Sequence, residues 1–72
     1  MVVDAGRRRA LVAALNRLST EDRLVIGLRH FEQLTEREMA DALDCAPGTV
    51  KSRLSRATRR LREELVRSGA QP

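Results

Sequence analysis

The segment Ala46 to Leu65, APGTVKSRLSRATRRLREEL, carries the densest set of chemically active side chains in the sequence. Reading on to Arg67, it holds Lys51 and six arginines against two acids, Glu63 and Glu64. Guanidinium and ammonium groups interleaved with Ser and Thr hydroxyls are donors for anionic oxygens and for base edges. The charge is also unevenly placed. Residues 1–45 carry seven Arg and eight Asp or Glu, a balance of −1, whereas residues 46–72 stand at +5, within a formal total of +4. That asymmetry points to a polyanionic partner for the C-terminal half, nucleic acid or an anionic membrane surface. The membrane reading is the weaker one, because the apolar side of this stretch has no Trp or Phe and is needed for a core.

Other chemistries find little support. His30 and Cys45 lie in different elements and lack a CxxC or HxxxH companion, well short of a zinc site. A lone cysteine forms no intramolecular disulfide and suits a reducing compartment. No stretch approaches the ~18 apolar residues of a membrane span, and nothing resembles a secretory leader, so the expected location is the cytoplasm. There is no nucleophile beside a plausible base, no phosphate-cradling Gly loop, and too little chain to enclose a pocket. No enzymatic activity and no metal or cofactor are expected.

The elements that must position the basic segment are helical. Seventy-two residues allow one domain with a small core, and Phe31 is the single aromatic residue. Leu, Ala, Arg and Glu, all strong helix formers, dominate. The pattern predicts an all-α, four-helix domain containing a C-terminal helix-turn-helix, over residues 1–72, with residues 1–6 and 68–72 as frayed ends. The first helix is expected from Ala5 to Leu18, capped by Asp4, with Leu11, Ala14, Leu15 and Leu18 inward. Ser19 caps a second helix running to Glu32 and burying Leu24, Leu28 and Phe31, with Gly27 in its middle as a sign of close packing. In LTEREMADAL, Thr35 and Glu38 make a capping box, and Leu34 with Met39 a hydrophobic staple, around a helix from Glu36 to Leu43. Asp44 is one of the few non-Gly types that tolerates a left-handed turn conformation. Pro47 then opens the last helix, to about Arg67, where its missing N–H does no harm.

At 100° per residue, Val50, Leu54, Ala57 and Leu61 fall within about 60° and form the buried stripe of that helix. Opposite lie Gly48, Ser52, Ser55, Arg56 and Arg59, with Lys51, Arg53 and Arg60 on the flanks. The exposed face thus begins with small and hydroxyl residues and turns basic beyond them. A recognition helix uses such an N-terminal half in the major groove. Lys51 and Arg56 can donate to guanine O6 and N7, and Ser52 and Ser55 to bases or phosphates. Thr49, in the first turn, suits a phosphate through the free N–H groups and the helix dipole. Arg37 is expected beside the flanking backbone. The bland alternative is a solvated face stabilised by Arg59–Glu63 and Arg60–Glu64 pairs at i, i+4.

The stretch LSTEDRLVIGLRHFEQLTEREMADALDCAPGTVKSRLSRATRRLREEL resembles region 4 of a bacterial sigma factor of the extracytoplasmic-function (ECF) type. GTVKSRLSRA behind an EMA-containing helix is the specific part of the likeness. The resemblance implies a last helix that reads the −35 promoter element. It also implies bacterial RNA polymerase as partner, through the flap of the β subunit, and often a dedicated anti-sigma factor. Carried over by position, base reading falls to Lys51, Ser52, Ser55 and Arg56, and phosphate contact to Arg37, Thr49, Arg53 and Arg59. The domain is expected to act as a monomer. Asp44 stands where the family often has Gly, Ser19 where Pro is common, and Ser55 where some members carry a bulkier side chain. An intact sigma factor needs far more than 72 residues, so the chain reads as one domain of a longer protein. Two rivals are the DNA-binding domain of a response regulator, which shares the LTERE start, and a helical module that holds a regulator. The former does not usually carry GTVKSRLSRA.

Overall fold

The computed structural model describes residues 5–67, which form four helices: α1 (Ala5–Asn16), α2 (Thr20–His30), α3 (Glu36–Leu43) and α4 (Pro47–Arg67). The expected Asp4 cap and most of the two ends assigned to fraying lie outside the described residues. Helix α1 begins at Ala5, as the helix pattern indicated, so Ala5 and Gly6 are helical rather than part of a frayed end.

Each junction follows from hydrogen-bonding capacity. Helix α1 stops two residues short of Leu18 because Arg17 and Leu18 donate their amides three residues back, to Ala14 and Leu15 at 3.1 Å, tightening the last turn. That frees Ser19 to take an extended conformation (φ −64°, ψ 160°) and accept the Asp22 amide on its hydroxyl at 3.1 Å. Helix α2 ends at His30 rather than Glu32. The Gly27 carbonyl receives both the Phe31 and Glu32 amides, at 2.9 and 3.0 Å, and Gln33 turns left-handed with φ 58°. The Arg29 guanidinium closes this connection on the Leu34 carbonyl at 3.0 Å.

Helix α3 is capped as its sequence indicates. The Glu38 amide donates to the Thr35 hydroxyl at 3.1 Å, and the Thr35 amide donates to Glu38 Oε1 at 2.8 Å. These hydrogen bonds, first that of the Thr35 amide, hold the Glu38 carboxyl below its ordinary pKa. At the other end Asp44 is left-handed, φ 53°, and its amide reaches back to the Asp41 carbonyl. The Cys45 amide bonds the Ala40 carbonyl at 3.0 Å, completing a Schellman-type stop. Two strong terminators thus bracket a helix of only eight residues.

Helix α4 packs against all three others. The core is Leu18, Val25, Ile26, Met39, Ala40, Val50 and Ala57, with Met39 and Val50 fully buried, and Leu34, Leu54 and Leu61 packed around them. The expected stripe of α4 is therefore the one that is buried. Of the expected face of α2, only Leu28 packs against the core. Leu24 is 47% and Phe31 68% exposed, while Asp22, Val25 and Ile26 turn inward. The inward set is itself spaced i, i+3, i+4, and its acidic first member disguises it as a polar face.

Gly27 does not mark close packing, since a Cβ built there meets nothing within 4 Å. Gly27→Ala is expected to stabilise the fold by about 0.5–1 kcal/mol, raising the melting temperature by several degrees. A circular-dichroism melt that does not rise would refute the open-space reading. The depressed Glu38 carboxyl sets a pH dependence: its contribution is complete above the ordinary carboxylate range and is lost as pH falls through the lowered folded value. Melts between about pH 6 and pH 3 should show a smaller acid loss for Glu38→Gln than for the parent chain.

Candidate nucleic-acid interface

The exposed side of α4 is built by the two turns before it. The left-handed Asp44 reverses the chain so that α4 crosses α3, and burial of Val50 and Ala57 fixes its rotation about its axis. Lys51, Ser52, Ser55, Arg56 and Arg59 are then exposed, whereas Thr49 and Arg53 are half-buried on the flanks. Arg37 is exposed in the first turn of α3. Of the eight residues singled out from the sequence, seven thus lie on α4 outside its buried stripe and Arg37 lies on α3.

The start of α4 offers fewer amides than expected. Thr49 and Val50 both donate to the Ala46 carbonyl, at 3.0 and 3.2 Å, and Pro47 has no N–H. Gly48 supplies the first-turn amide left over, so Thr49 must contribute chiefly through its hydroxyl.

Two hollows flank α4. On the α3 side an open one of about 430 Å³ has Glu36 facing Lys51, Ser55, Thr58, Arg59 and Arg62 across it. On the α2 side a narrower one of about 220 Å³ is lined by Ser19, Glu21, Asp22, Arg53, Arg56 and Arg60. Thr58 and Arg62 add to the basic side and were not singled out from the sequence, although their i, i+4 spacing continues the Lys51 and Ser55 row.

The ion pairs show which charges the fold uses itself. Arg60 donates to Asp22 Oδ2 at 2.8 Å, joining α4 to the first turn of α2. That hydrogen bond, with the attraction behind it, raises the Arg60 pKa further above its ordinary value. Glu64, its side chain 17% exposed, faces Arg67 at 3.8 Å through Oε1 and Arg17 at 3.6 Å through its buried Oε2, which accepts no hydrogen bond. The expected Arg60–Glu64 pair is therefore replaced by two longer-range pairings, and no ion pair joins Arg59 to Glu63 among the described residues. Arg60 forms the shorter contact, a 2.8 Å charge-assisted hydrogen bond to the shielded Asp22 carboxylate. Lys51, Arg53, Arg56, Arg59 and Arg62 make no ion pair among the described residues. Their charge is not consumed within the fold.

A separate apolar hollow of about 350 Å³ lies away from this face, lined by Leu11, Leu15, Ile26, His30, Phe31 and Leu61. No group of three or more His, Cys, Asp or Glu suited to a metal ion occurs among the described residues, and Cys45 is a free, half-buried thiol. None of the described helices is long and apolar enough to cross a membrane.

Residues 8–61 match the family described as Sigma-70, region 4. The chain is 51% identical over 59 residues to the RNA polymerase sigma-E factor of Streptomyces coelicolor, covering 82% of this chain and 33% of that protein. It is 50% identical over 58 residues to the sigma-E factor of Streptomyces antibioticus, covering 81% and 32%. The chain thus spans about a third of the length of the curated relatives it matches.

Arg60→Ala is expected to lower the melting temperature, because it strands the Asp22 carboxylate in a site only 8% exposed. Arg59→Ala removes an exposed, unpaired charge and should leave the melt within error. Equal shifts for the two variants would contradict the division between structural and ligand-directed arginines.

Proposed function

The chain belongs to the Sigma-70 region 4 family, and on that premise we propose that it binds the −35 promoter element as the region 4 domain of an alternative, ECF-type sigma factor. In that role it directs RNA polymerase to promoters. The observation that carries this reading is the ridge of unpaired basic and hydroxyl side chains on α4, presented by a capped helix and a left-handed turn.

The proposed division of labour follows side-chain reach. Ser52 and Ser55 are short, so the α4 backbone can approach the groove floor, and Lys51 and Arg56 reach base acceptors from beside them. Thr49 and Arg53 flank this face, Arg59 lies a turn beyond the reading residues and Arg37 stands on α3; these four serve phosphates, which set register without reading sequence. Charge-assisted bonds to phosphate supply most of the affinity and make it depend on salt.

The apolar hollow beside the exposed Phe31 suits a second partner. A patch of Phe31, Leu11 and Leu15 is a seat for an apolar segment of RNA polymerase, and the β-subunit flap is the proposed occupant. An anti-sigma factor that covers this face or the α4 ridge would hold the domain inactive. The domain binds DNA as a monomer in this reading and does its work in the cytoplasm, without catalysis of its own.

Selection of bound sequences from a random duplex pool tests the assignment, because a reader enriches one motif and a nonspecific polycation enriches none. Affinity is expected to fall with a log–log salt slope of about −0.9 per phosphate neutralised. Arg56→Ala should reduce preference at one base pair by ~1–3 kcal/mol, whereas Arg59→Ala should weaken every duplex alike. Equal loss from both variants on selected and random DNA would overturn the base-reading assignment.

A further inference from the structure

The narrow hollow between α2 and α4 contains more positive charge than the fold neutralises. Three guanidinium groups, of Arg53, Arg56 and Arg60, face two carboxylates, of Glu21 and Asp22. Arg60 and Asp22 answer each other at 2.8 Å. Arg53 and Arg56 make no ion pair among the described residues, although Glu21 lines the same hollow. Arg53 is half-buried and makes no ion pair among the described residues, so its five-donor fork is open to an acceptor from outside the fold. Ser19 supplies a matching donor. Its oxygen accepts the Asp22 amide at 3.1 Å, which leaves its own O–H proton to point elsewhere. A volume of about 220 Å³ exceeds several times the roughly 30 Å³ share of a water molecule and accommodates a phosphate group.

The position of the hollow indicates which phosphate. A helix in a major groove about 12 Å wide has one DNA strand along each flank. The α3 flank of α4 carries Arg59 and Arg62 for one strand. The α2 flank carries Arg53, with Arg56 at the edge of the exposed face, for the other. We propose that this α2–α4 hollow is a seat for one backbone phosphate of the second strand, held by the Arg53 guanidinium and the Ser19 hydroxyl with Arg56 at its mouth. Through it, an element outside the helix-turn-helix sets the register of α4. Glu21 opposes the phosphate and limits the affinity of the seat. This inference rests on the DNA-binding reading above and adds to it a residue, Ser19, and an element, α2.

Variants at Ser19 test it without removing the cap, because Asn and Asp are both good N-cap residues. With folding checked by circular dichroism, Ser19→Asp is expected to bind random and selected duplexes at least tenfold more weakly than Ser19→Asn. Glu21→Gln is expected to bind several-fold more tightly than the parent chain. Arg53→Gln should make the salt slope shallower by about 0.9. Single methylphosphonate linkages, scanned along both strands of the selected duplex, should reveal one whose cost to the parent chain disappears in Arg53→Gln. The seat is overturned if Ser19→Asp and Ser19→Asn agree within twofold, or if each linkage costs parent and Arg53→Gln alike. A pool that enriches no motif refutes sequence reading but leaves the seat supported, provided the Ser19 and salt-slope differences appear on random duplex. Absence of duplex binding by the parent chain refutes both.

Discussion

Val50 and Ala57 have no exposed surface, and the rest of the molecule depends on their stripe. In so short a chain, core and ligand surface cannot be allotted to separate elements. Helix α4 must serve both, with one side closing the core against α1, α2 and α3 and the other facing outward. Burial of the stripe therefore orients the basic ridge. A rotation of α4 by one residue, about 100°, would expose Val50 and carry part of the charged row into the core. The same hydrophobic term that holds the domain together aims its donors.

Charge is divided along the same line. Arg60 meets Asp22 and Arg17 meets Glu64, and these two pairs brace α4 against the first half of the chain. The cations on the outer face have no such partners, and their mutual repulsion is a standing cost in the free domain. A polyanion removes that cost and takes up donors already in position, so affinity is gained with little reorganisation. The two hollows beside α4 each contain an acid, Glu36 or Glu21, as well as basic groups. Such acids reduce indiscriminate adhesion to anions and favour ligands that meet several donors at once.

The legible and illegible parts of the fold separate by the range of the interactions concerned. The Thr35–Glu38 capping box, the Ser19 cap, the Asp44 turn and the Pro47 start involve groups within a few residues of each other, and side-chain type alone specifies them. The stripe of α4 is legible because its apolar residues recur without interruption. Helix α2 is different. Leu24, Val25, Ile26, Leu28 and Phe31 cover much of its circumference, so more than one inward face satisfies the periodicity. The choice fell on the face bearing Asp22, whose partner Arg60 lies 38 residues away. The left-handed Gln33 likewise had no local signal, since its conformation follows from the widened hydrogen bonds at the end of α2.

The candidate site divides in the same way. Residue types and helical spacing along GTVKSRLSRATRR were enough to separate an inward stripe from an outward basic and hydroxyl face. They could not say which cations the fold would keep for itself, nor that Ser19 and Glu21 would stand beside Arg53 and Arg56. Periodicity and capping are properties of adjacent residues, and the sequence by itself determined them. The rotation of α2, the capture of Arg60 by Asp22 and the cleft they enclose depend on two helices meeting across the core. Only the tertiary structure decided those, because the energy of such contacts lies in pairs of residues that no local pattern brings together.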